Sequence, residues 1–395
     1  MAPYWILFFL FIALALFVNP HKFSYERSAH VSIDHQNLFY LKWIIVFILT
    51  FFIGFRYEVG GDWLNYKEIY FSLANKDLLE AILLASDPLF GLMNWLSSKL
   101  FYSDWSSYGP INWTDNKIHG YVIVNILSAF IFSIGLVRFC FSLPRPLLGI
   151  VIAIPYLIIV VSMGYVRQGA ALGIIMYGIT LLNSDQLWKF IFLTLIAALI
   201  HKASLIMLPM IVFVSTKNRF LIFLGITLLA IISGIILLES YIERVFANYI
   251  DAERASSGAI FRLGMLIPPS LIFLYYQSRF PFNRLLANFW RIISIGSIIL
   301  FVMLFVGNFS TFIDRIALFF LPLQIAIFCF VPDIFPKKYS AMIVIGIVIY
   351  CGMTQFAWLN FAVNSWAWIP YENILLIEYS DISYGLDPGK KWWND

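Results

Sequence analysis

The sequence predicts an all-α protein: a bundle of about twelve transmembrane helices that forms one integral membrane domain over residues 1–395. Of these 395 residues, 61% are hydrophobic and only 12% are charged, whereas a soluble chain carries about 25% charged residues. The apolar residues form long charge-free runs, such as 220–238, with no water-facing side. About 20 apolar residues in a helix span a bilayer and satisfy their own backbone hydrogen bonds there. Barrel strands would alternate apolar and polar residues, and these runs do not.

Charged breaks divide the apolar residues into twelve predicted spans. The first run is interpreted as a retained helix, because no Lys or Arg precedes it and no small-residue cleavage site follows it. Two short runs on either side of His201-Lys202 predict broken or tilted helices that dip towards a cavity. The predicted spans are 3–18, 38–55, 119–138, 147–163, 165–183, 187–200, 202–215, 219–238, 261–277, 285–306, 312–331 and 339–358.

Charge sorting orients the predicted bundle. One set of loops, with Lys42, carries 13 Lys and Arg residues against four acidic residues; the other side holds 13 basic residues, mostly in long loops, against 18 acidic ones. The positive-inside rule places the first set in the cytoplasm. The two termini, the long loops 56–118 and 239–260, and the tail 359–395 are then extracytoplasmic. The cytoplasmic loops lie near 19–37, 138–146, 184–189, 215–219, 278–291 and 332–338.

Several function classes find no support in the sequence. The net charge of +4 is explained by cytoplasmic loops rather than by nucleic-acid binding. The spacing of Cys140, Cys329 and Cys351 suits neither a metal site nor a disulfide framework, so these residues are predicted to be small core residues. No Gly-rich phosphate loop and no HExxH, GxSxG or Cys/His metal motif occurs. A mechanism driven by cytosolic nucleotide is therefore unsupported.

The long loop 56–118 is predicted to contain amphipathic helices that rest on the bilayer. Within 87–101, apolar residues recur at helical spacing. Three tryptophans of the loop suit the membrane interface. The residues concerned are Leu89, Leu92, Met93, Leu96 and Leu100 for the helix, and Trp95, Trp105 and Trp113 for the interface.

A first candidate cluster follows the second span directly. Gly60 and Gly61 let the chain turn sharply, which brings Arg56, Glu58 and Asp62 together at the mouth of the bundle. Arg56 would face an anionic ligand, and Asp62 would accept a proton or a sugar hydroxyl. The alternative is a snorkelling arginine that pairs with a neighbouring carboxylate.

Further candidates lie at other predicted outer helix ends. Arg167 and Gln168 begin a helix whose small residues Gly169, Ala170, Ala171 and Gly173 favour close packing. The helix dipole attracts anions there, and a guanidinium can bind two phosphate oxygens at once. An ordinary interfacial arginine is the alternative.

The break at His201-Lys202 supplies a possible general acid or base, although a lone histidine is more often a packing residue. Asp314-Arg315 is explained by ligand binding or by an internal ion pair. Arg262 adds a fifth cation. Ionisable groups at membrane depth cost about 2.5–3.5 kcal/mol each to insert. Their gathering on one side therefore favours an outward-facing site for a polyanionic head group.

The ordered set of these motifs resembles the EpsG family of Wzy-type polysaccharide polymerases, over residues 1 to about 370. Family members often have Gly-Thr-Asp where this chain has Gly60-Gly61-Asp62, so no hydroxyl is expected to matter there. The segment 101–118 looks like a local insertion. The resemblance is carried by Arg56 with Gly60-Gly61-Asp62 and Asn65-Tyr66, by Asp87-Pro88-Leu89-Phe90, by Arg167-Gln168, by His201-Lys202-Ala203-Ser204 with Pro209, and by Asp314-Arg315.

The resemblance implies a GT-C-like fold with an extracytoplasmic cavity, in a bacterial inner membrane, whose active face is periplasmic. It implies joining of undecaprenyl-pyrophosphate-linked repeat units, with a glycan donor, a glycan acceptor, the bilayer and a chain-length regulator as partners. Neither a cofactor nor a metal is expected, because guanidinium groups would stabilise the leaving pyrophosphate. The implied catalytic residues are Arg167, His201, Asp62 and Arg315, and the implied substrate-binding residues are Arg56, Tyr66, Gln168, Lys202 and Arg262.

Two other readings remain open at the level of sequence. An O-antigen ligase or a polyprenyl-phosphate-sugar-dependent glycosyltransferase would also use outward cations, and the latter would depend on Glu58 or Asp62. A flippase for the lipid-linked unit would carry charge through a central cavity to both leaflets, and would be expected to have an internal repeat. Here the membrane-embedded charge lies on one side and no repeat is visible, which favours polymerisation over transport.

Overall fold

A computed structural model describes residues 1–17, 35–74, 76–100, 120–182, 184, 186–214, 258–305 and 310–376. All regular secondary structure in these ranges is helical, apart from one isolated bridge between Arg56 and Asn373. By length and composition, five helices could cross a membrane, and six further apolar helices have 10–17 residues. The all-α prediction is confirmed. The predicted span 219–238 and nearly all of the loop 239–260 lie outside the described residues, so the count of twelve spans stays a prediction, as does the GT-C likeness.

Fifteen α-helices follow one another along the described ranges, with one π-helix and short 3-10 helices between them. They are α1 (Ala2–Phe17), α2 (His35–Gly54), α3 (Trp63–Ala74), α4 (Leu78–Leu84), α5 (Pro88–Leu100), α6 (Gly120–Cys140), α7 (Pro146–Ala153), α8 (Val166–Leu182), α9 (Leu187–Ile200), α10 (Met207–Val214), α11 (Ala259–Tyr276), α12 (Arg284–Met303), α13 (Ser310–Leu318), α14 (Pro322–Ile334) and α15 (Ser340–Phe361).

Helices α6 and α8 form a close contact at the centre of the bundle. The backbones meet where Gly135 faces Gly173, and a Cβ on either glycine would overlap the backbone of the other helix. Gly169 likewise lies against Ser162, at 3.0 Å between its would-be Cβ and the Ser162 Cα. The prediction that small residues let α8 pack closely is confirmed. This contact fixes the start of α8, and with it the position of Arg167.

Prolines explain two departures from the predicted spans. The predicted span 147–163 begins as α7 and continues as a π-helix, Ile154–Ser162; Pro155 in its first turn has no N–H and cannot continue the α-helical hydrogen bonds. The predicted span 312–331 is wrong as a single helix. It is divided into α13 and α14, because Pro322 begins a new helix after three turn residues.

The break predicted near His201 is confirmed. Helix α9 ends at Ile200, and His201 adopts an extended conformation with φ −153° and ψ 105°. A 3-10 helix, Lys202–Ile206, then leads into α10. The helical path is therefore interrupted at His201. The end of the bundle where α2 and α9 end and α8 and α11 begin is called the outer end below.

Helices α3, α4 and α5 cover the outer end. The predicted helix within 87–101 exists as α5, and part of its apolar stripe faces away from the protein. The buried residues of α5 are Phe90, Gly91, Asn94, Ser97 and Ser98, whereas Leu96 and Leu100 are 45% and 73% exposed and the other three stripe residues are half-buried. Small and polar residues thus form much of the inward side, as expected of a helix that borders lipid.

The segment after α15 folds back over the outer end and is called the strap, residues 362–374. It contains a 3-10 helix, Ser365–Trp368. Its backbone joins the segment after α2 through hydrogen bonds from Tyr57 N to Glu372 O (3.0 Å) and from Ile374 N to Phe55 O (2.8 Å). The first part of the predicted tail 359–395 is thus helix α15 and packed strap, and residues 377–395 lie outside the described residues.

Candidate active site

Arg167 lies in the first turn of α8, where an acid and two aromatic rings hold its guanidinium. Nη1 donates to Asp87 Oδ2 at 2.6 Å and to Ser86 Oγ at 2.5 Å. The guanidinium carbon lies 5.4 Å from the ring centre of Tyr66 and 5.7 Å from that of Phe90. The side chain still keeps 23% of its surface exposed. Arg167 is therefore oriented by its neighbours and remains accessible to an anion.

Asp62 lies just before α3, where the charges of two arginines act on it. Burial raises the pKa of the Asp62 carboxyl above that of an ordinary aspartate, while the charges of Arg315 and Arg167 act in the opposite direction. Arg315, in α13, has an exposed side chain. Its backbone carbonyl accepts a hydrogen bond from Gln168 Nε2 at 2.9 Å, which ties α13 to the start of α8. Two cations thus act on one carboxyl group.

His201 lies at the turn after α9, within reach of the same charges. Both ring nitrogens are buried and have no hydrogen-bond partner among the described residues. The imidazole stacks on Phe319, with ring centres 6.4 Å apart and an interplanar angle of 15°. Burial lowers the pKa of His201 to about 4; Asp87 opposes this shift, whereas Arg167 adds to it. His201 is therefore neutral at pH 7 and has a nitrogen able to accept a proton.

Arg262 is paired with a carboxylate rather than held free for a ligand. It forms an ion pair through Nη1 with Asp314 Oδ2, and both side chains are nearly buried. Nη2 reaches the Tyr165 hydroxyl at 3.4 Å. The charges of both Asp314 and Asp62 act on Tyr165. Asp314 therefore forms an internal ion pair with Arg262, a partner that the sequence analysis did not name, and the pair lies next to Tyr165, just before α8.

Arg56 is buried, and its nitrogens are already used in hydrogen bonds outside the group formed by Asp62, Arg167 and Arg315. Its side chain is 1% exposed. Nε donates to Val59 O at 3.0 Å, Nη1 to Ile53 O at 2.6 Å and Nη2 to Asn125 Oδ1 at 3.4 Å. The guanidinium also lies 5.7 Å from the ring centre of Trp63. These contacts hold the turn after α2 against α6, and they leave little of Arg56 accessible to a substrate.

The structure thus brings most of the predicted site residues together at the outer end. Asp62, Arg167 and Arg315 interact through their charges, and His201 lies in the field of both arginines and of Lys202. Tyr66 and Gln168 contact Arg167 and Arg315 as described above. Arg262 lies next to this group through its contact with Tyr165, and Arg56 binds the backbone of the turn that leads to Asp62.

Asp87 is the site residue that sequence reasoning misses. It is part of a motif noted above but receives no role there. Its side chain is 1% exposed, and its two oxygens bind groups from two different elements: Oδ2 accepts from Arg167, and Oδ1 accepts from the Lys202 backbone N at 3.0 Å. An aspartate immediately before a helix-starting proline, in a loop facing several cations, is the signal that could have identified it.

The strap also contributes to the site. Gly60 N donates to Ala367 O at 2.9 Å, and Trp368 Nε1 donates to Ile159 O at 2.8 Å. Gly60 has φ +112°, and a Cβ there would overlap the Met163 carbonyl oxygen. The turn that precedes Asp62 is therefore held between the strap and the end of the π-helix. This position requires glycine.

The described residues contain no group of three or more His, Cys, Asp or Glu side chains that could hold a metal ion. Cys140, Cys329 and Cys351 are free and buried, which confirms their prediction as core residues. The cluster therefore offers cations from guanidinium groups, with one carboxyl and one imidazole as proton acceptors. Such a set can bind a diphosphate and can accept a proton from a hydroxyl group.

Comparison with known proteins identifies one family. No curated protein and no solved structure matches the chain. The EpsG family model, in contrast, matches residues 39–373, a range that includes every residue of the cluster and the strap to Asn373. Members of that family are Wzy-type polymerases. The chain belongs to the EpsG family.

Proposed function

We propose that this protein is a polysaccharide polymerase that joins undecaprenyl-pyrophosphate-linked repeat units at the periplasmic face of a bacterial inner membrane. Family membership supports the reaction class. The observation that carries the proposal is the meeting of three site residues at the outer end of an apolar helical bundle: Gln168, next to Arg167, donates to Arg315 O, and the charges of Arg167 and Arg315 both act on the Asp62 carboxyl. The outward direction rests on the excess of basic residues in the opposite loops.

In the proposed reaction, the growing glycan moves from its own lipid carrier to a new unit. The non-reducing-end hydroxyl oxygen of the new unit bonds to the anomeric carbon of the growing chain. The bond from that carbon to the pyrophosphate oxygen breaks, and its electron pair leaves with undecaprenyl pyrophosphate. The hydroxyl proton passes to Asp62 or to His201.

The two arginines would act on the leaving group. Negative charge develops on the pyrophosphate oxygen as the glycosidic bond breaks, and fixed cations stabilise that charge most where water is excluded. Arg167 suits this role because Asp87 and two rings already orient it, so little reorganisation is needed on binding. Arg315 would complete the diphosphate site from α13.

Asp62 and His201 are the two candidates for the base. The raised pKa of the Asp62 carboxyl makes it a better proton acceptor than an ordinary aspartate. His201 is neutral, with buried and unpartnered ring nitrogens. A bound diphosphate would offset the cations that help to keep the pKa of His201 low, and His201 would then become more basic as substrate binds.

Reconstitution with a defined lipid-linked repeat unit tests the proposal. Purified protein in liposomes should convert the single unit into a ladder of longer products. Arg167→Lys keeps the charge but loses paired hydrogen bonding, and should lower kcat about 10²-fold; Arg138→Lys, an exposed arginine next to Tyr177, is the matched control. Transfer of a glycan to a different lipid acceptor without a ladder would indicate a ligase. Movement of the unit across the bilayer without a new bond would indicate a transporter.

A further inference from the structure

Asp87 joins three parts of the outer end that are distant in sequence. It lies between α4 and α5, among the helices that cover the site. Its Oδ2 accepts from Arg167 Nη1 at 2.6 Å and from Ser86 Oγ at 2.9 Å. Its Oδ1 accepts from the backbone N–H of Lys202 at 3.0 Å. One carboxylate therefore links the covering helices to the start of α8 and to the turn that carries His201.

The two links use both oxygens of a group that is almost inaccessible to solvent. The Asp87 side chain is 1% exposed, whereas that of Arg167 is 23% exposed. A buried carboxylate is costly unless it is paired and hydrogen-bonded, and here both conditions are met. Because Asp87 is too buried to be the first contact of an incoming substrate, its effect on the site must pass through Arg167 and through the His201 turn.

The His201 imidazole, next to the hydrogen bond between Asp87 and Lys202, has ring nitrogens that could bind a ligand. The Lys202 N–H is the first backbone donor after His201, so a bond to it fixes where the turn places the imidazole. Both imidazole nitrogens are buried without a partner among the described residues. Buried polar atoms left unpartnered are destabilising, and active sites are a common place for them.

We infer that Asp87 is a positioning residue: its two carboxylate oxygens set the distance between the Arg167 guanidinium and the His201 turn. With the covering helices α4 and α5 packed on the site, Asp87 thereby keeps the pyrophosphate-binding cation and the imidazole at a fixed separation. This inference rests on the proposed polymerase function. Asp87 itself touches neither the reacting hydroxyl nor the anomeric carbon.

Asp87→Asn tests the inference, because asparagine offers only one acceptor oxygen and must release one of the two links. Misplacement of reacting groups by about 1 Å can cost about 10²-fold in rate. We therefore expect kcat to fall about 10²-fold per folded molecule, with KM changed less than about threefold. Glu80→Gln is the control, since Glu80 on α4 forms an exposed pair with Lys76 and should leave kcat unchanged.

A second variant and a second readout guard against a folding defect. Asp87→Glu retains the charge opposite Arg167 but moves the carboxylate by one methylene, so it should fold and still show the lowered kcat. Hydrogen–deuterium exchange in lipid nanodiscs should show the Lys202 amide exchanging at least tenfold faster in Asp87→Glu than in the parent and in Glu80→Gln, because the longer side chain displaces both oxygens. If Asp87→Asn fails to insert, Asp87→Glu decides alone.

The outcomes separate the inference from the function on which it rests. A folded Asp87→Asn or Asp87→Glu protein with the parental kcat would overturn the positioning role, as would unchanged exchange at Lys202 in Asp87→Glu. A loss confined to the amount of folded protein, with kcat per folded molecule preserved, would make Asp87 merely structural and would also overturn it. If the parent protein forms no polymer, the proposed function fails, whereas the exchange measurement still shows whether Asp87 holds the turn.

Discussion

Arg56→Lys should destabilise the protein without weakening substrate binding. The Arg56 side chain is 1% exposed, and three different nitrogens donate to Val59 O, Ile53 O and Asn125 Oδ1. A lysine has one nitrogen, which cannot occupy all three positions, so we expect two acceptors to lose their donor. Each buried acceptor left unpartnered costs about 1–3 kcal/mol. The free energy of unfolding should therefore fall by about 2–6 kcal/mol.

Thermal unfolding in detergent, followed by the fluorescence of buried tryptophans, measures the stability. Steady-state kinetics on the folded fraction measures KM for the lipid-linked unit, and we expect it to stay within about twofold of the parental value. Arg291→Lys is the control, because Arg291 is exposed and binds only Gln277 among the contacts described. Unchanged stability together with a KM raised tenfold or more would refute the structural role. Arg56 would then be a substrate contact, as the sequence alone predicts.

Two further predictions concern the turn that carries Asp62. Gly60→Ala should abolish polymer formation and lower the unfolding temperature, because the new Cβ would overlap Met163 O at a residue with φ +112°. Gly264→Ala is the control and should be neutral, since its Cβ meets nothing within 4 Å. A stable, active Gly60→Ala protein would contradict the turn geometry. If Asp62 is the base, kcat/KM should fall with decreasing pH through an ionisation above that of an ordinary aspartate, since burial raises the pKa of Asp62 and only the ionised form accepts a proton. A pH profile of the residual activity of Asp62→Asn that keeps this ionisation would exclude Asp62.

The helices themselves were largely predictable, because bilayer spans require long charge-free runs. Ten of the twelve predicted runs coincide with helices or with consecutive helical segments, and 219–238 lies outside the described residues. The failure at 312–331 comes from Pro322, whose effect on an apolar run depends on whether neighbouring helices accommodate a kink or a full break. Hydropathy alone does not distinguish these outcomes.

The site was predictable in its residue types but not in its pairings. Isolated cations at helix ends identified Arg167, Arg315 and Arg262 as a set, since charge at membrane depth is costly. Which of them would be bound by a carboxylate depends on contacts across long sequence separations. Arg167 meets Asp87 and Arg262 meets Asp314, and no local pattern encodes either pair.

The face of α5 follows the sequence prediction more closely. A stripe of apolar residues at helical spacing, in a loop beside a bilayer, predicts an amphipathic helix whose apolar side rests on the membrane. Close protein contacts beside lipid favour small residues. The inward side of α5 is accordingly formed by residues such as Gly91, Asn94 and Ser97.

The hydrogen bonds between the strap and the segment after α2 have a practical consequence for anyone who shortens or tags this chain. A truncation at Phe361 would delete the acceptor of the Gly60 N–H and remove Trp368 from Ile159, so the turn that carries Asp62 would lose its support although every apolar helix remained. Reporter proteins used to map topology should therefore be appended after Leu376. A reporter fused nearer to α15 would report on a molecule whose membrane insertion is intact but whose outer end is no longer correctly folded.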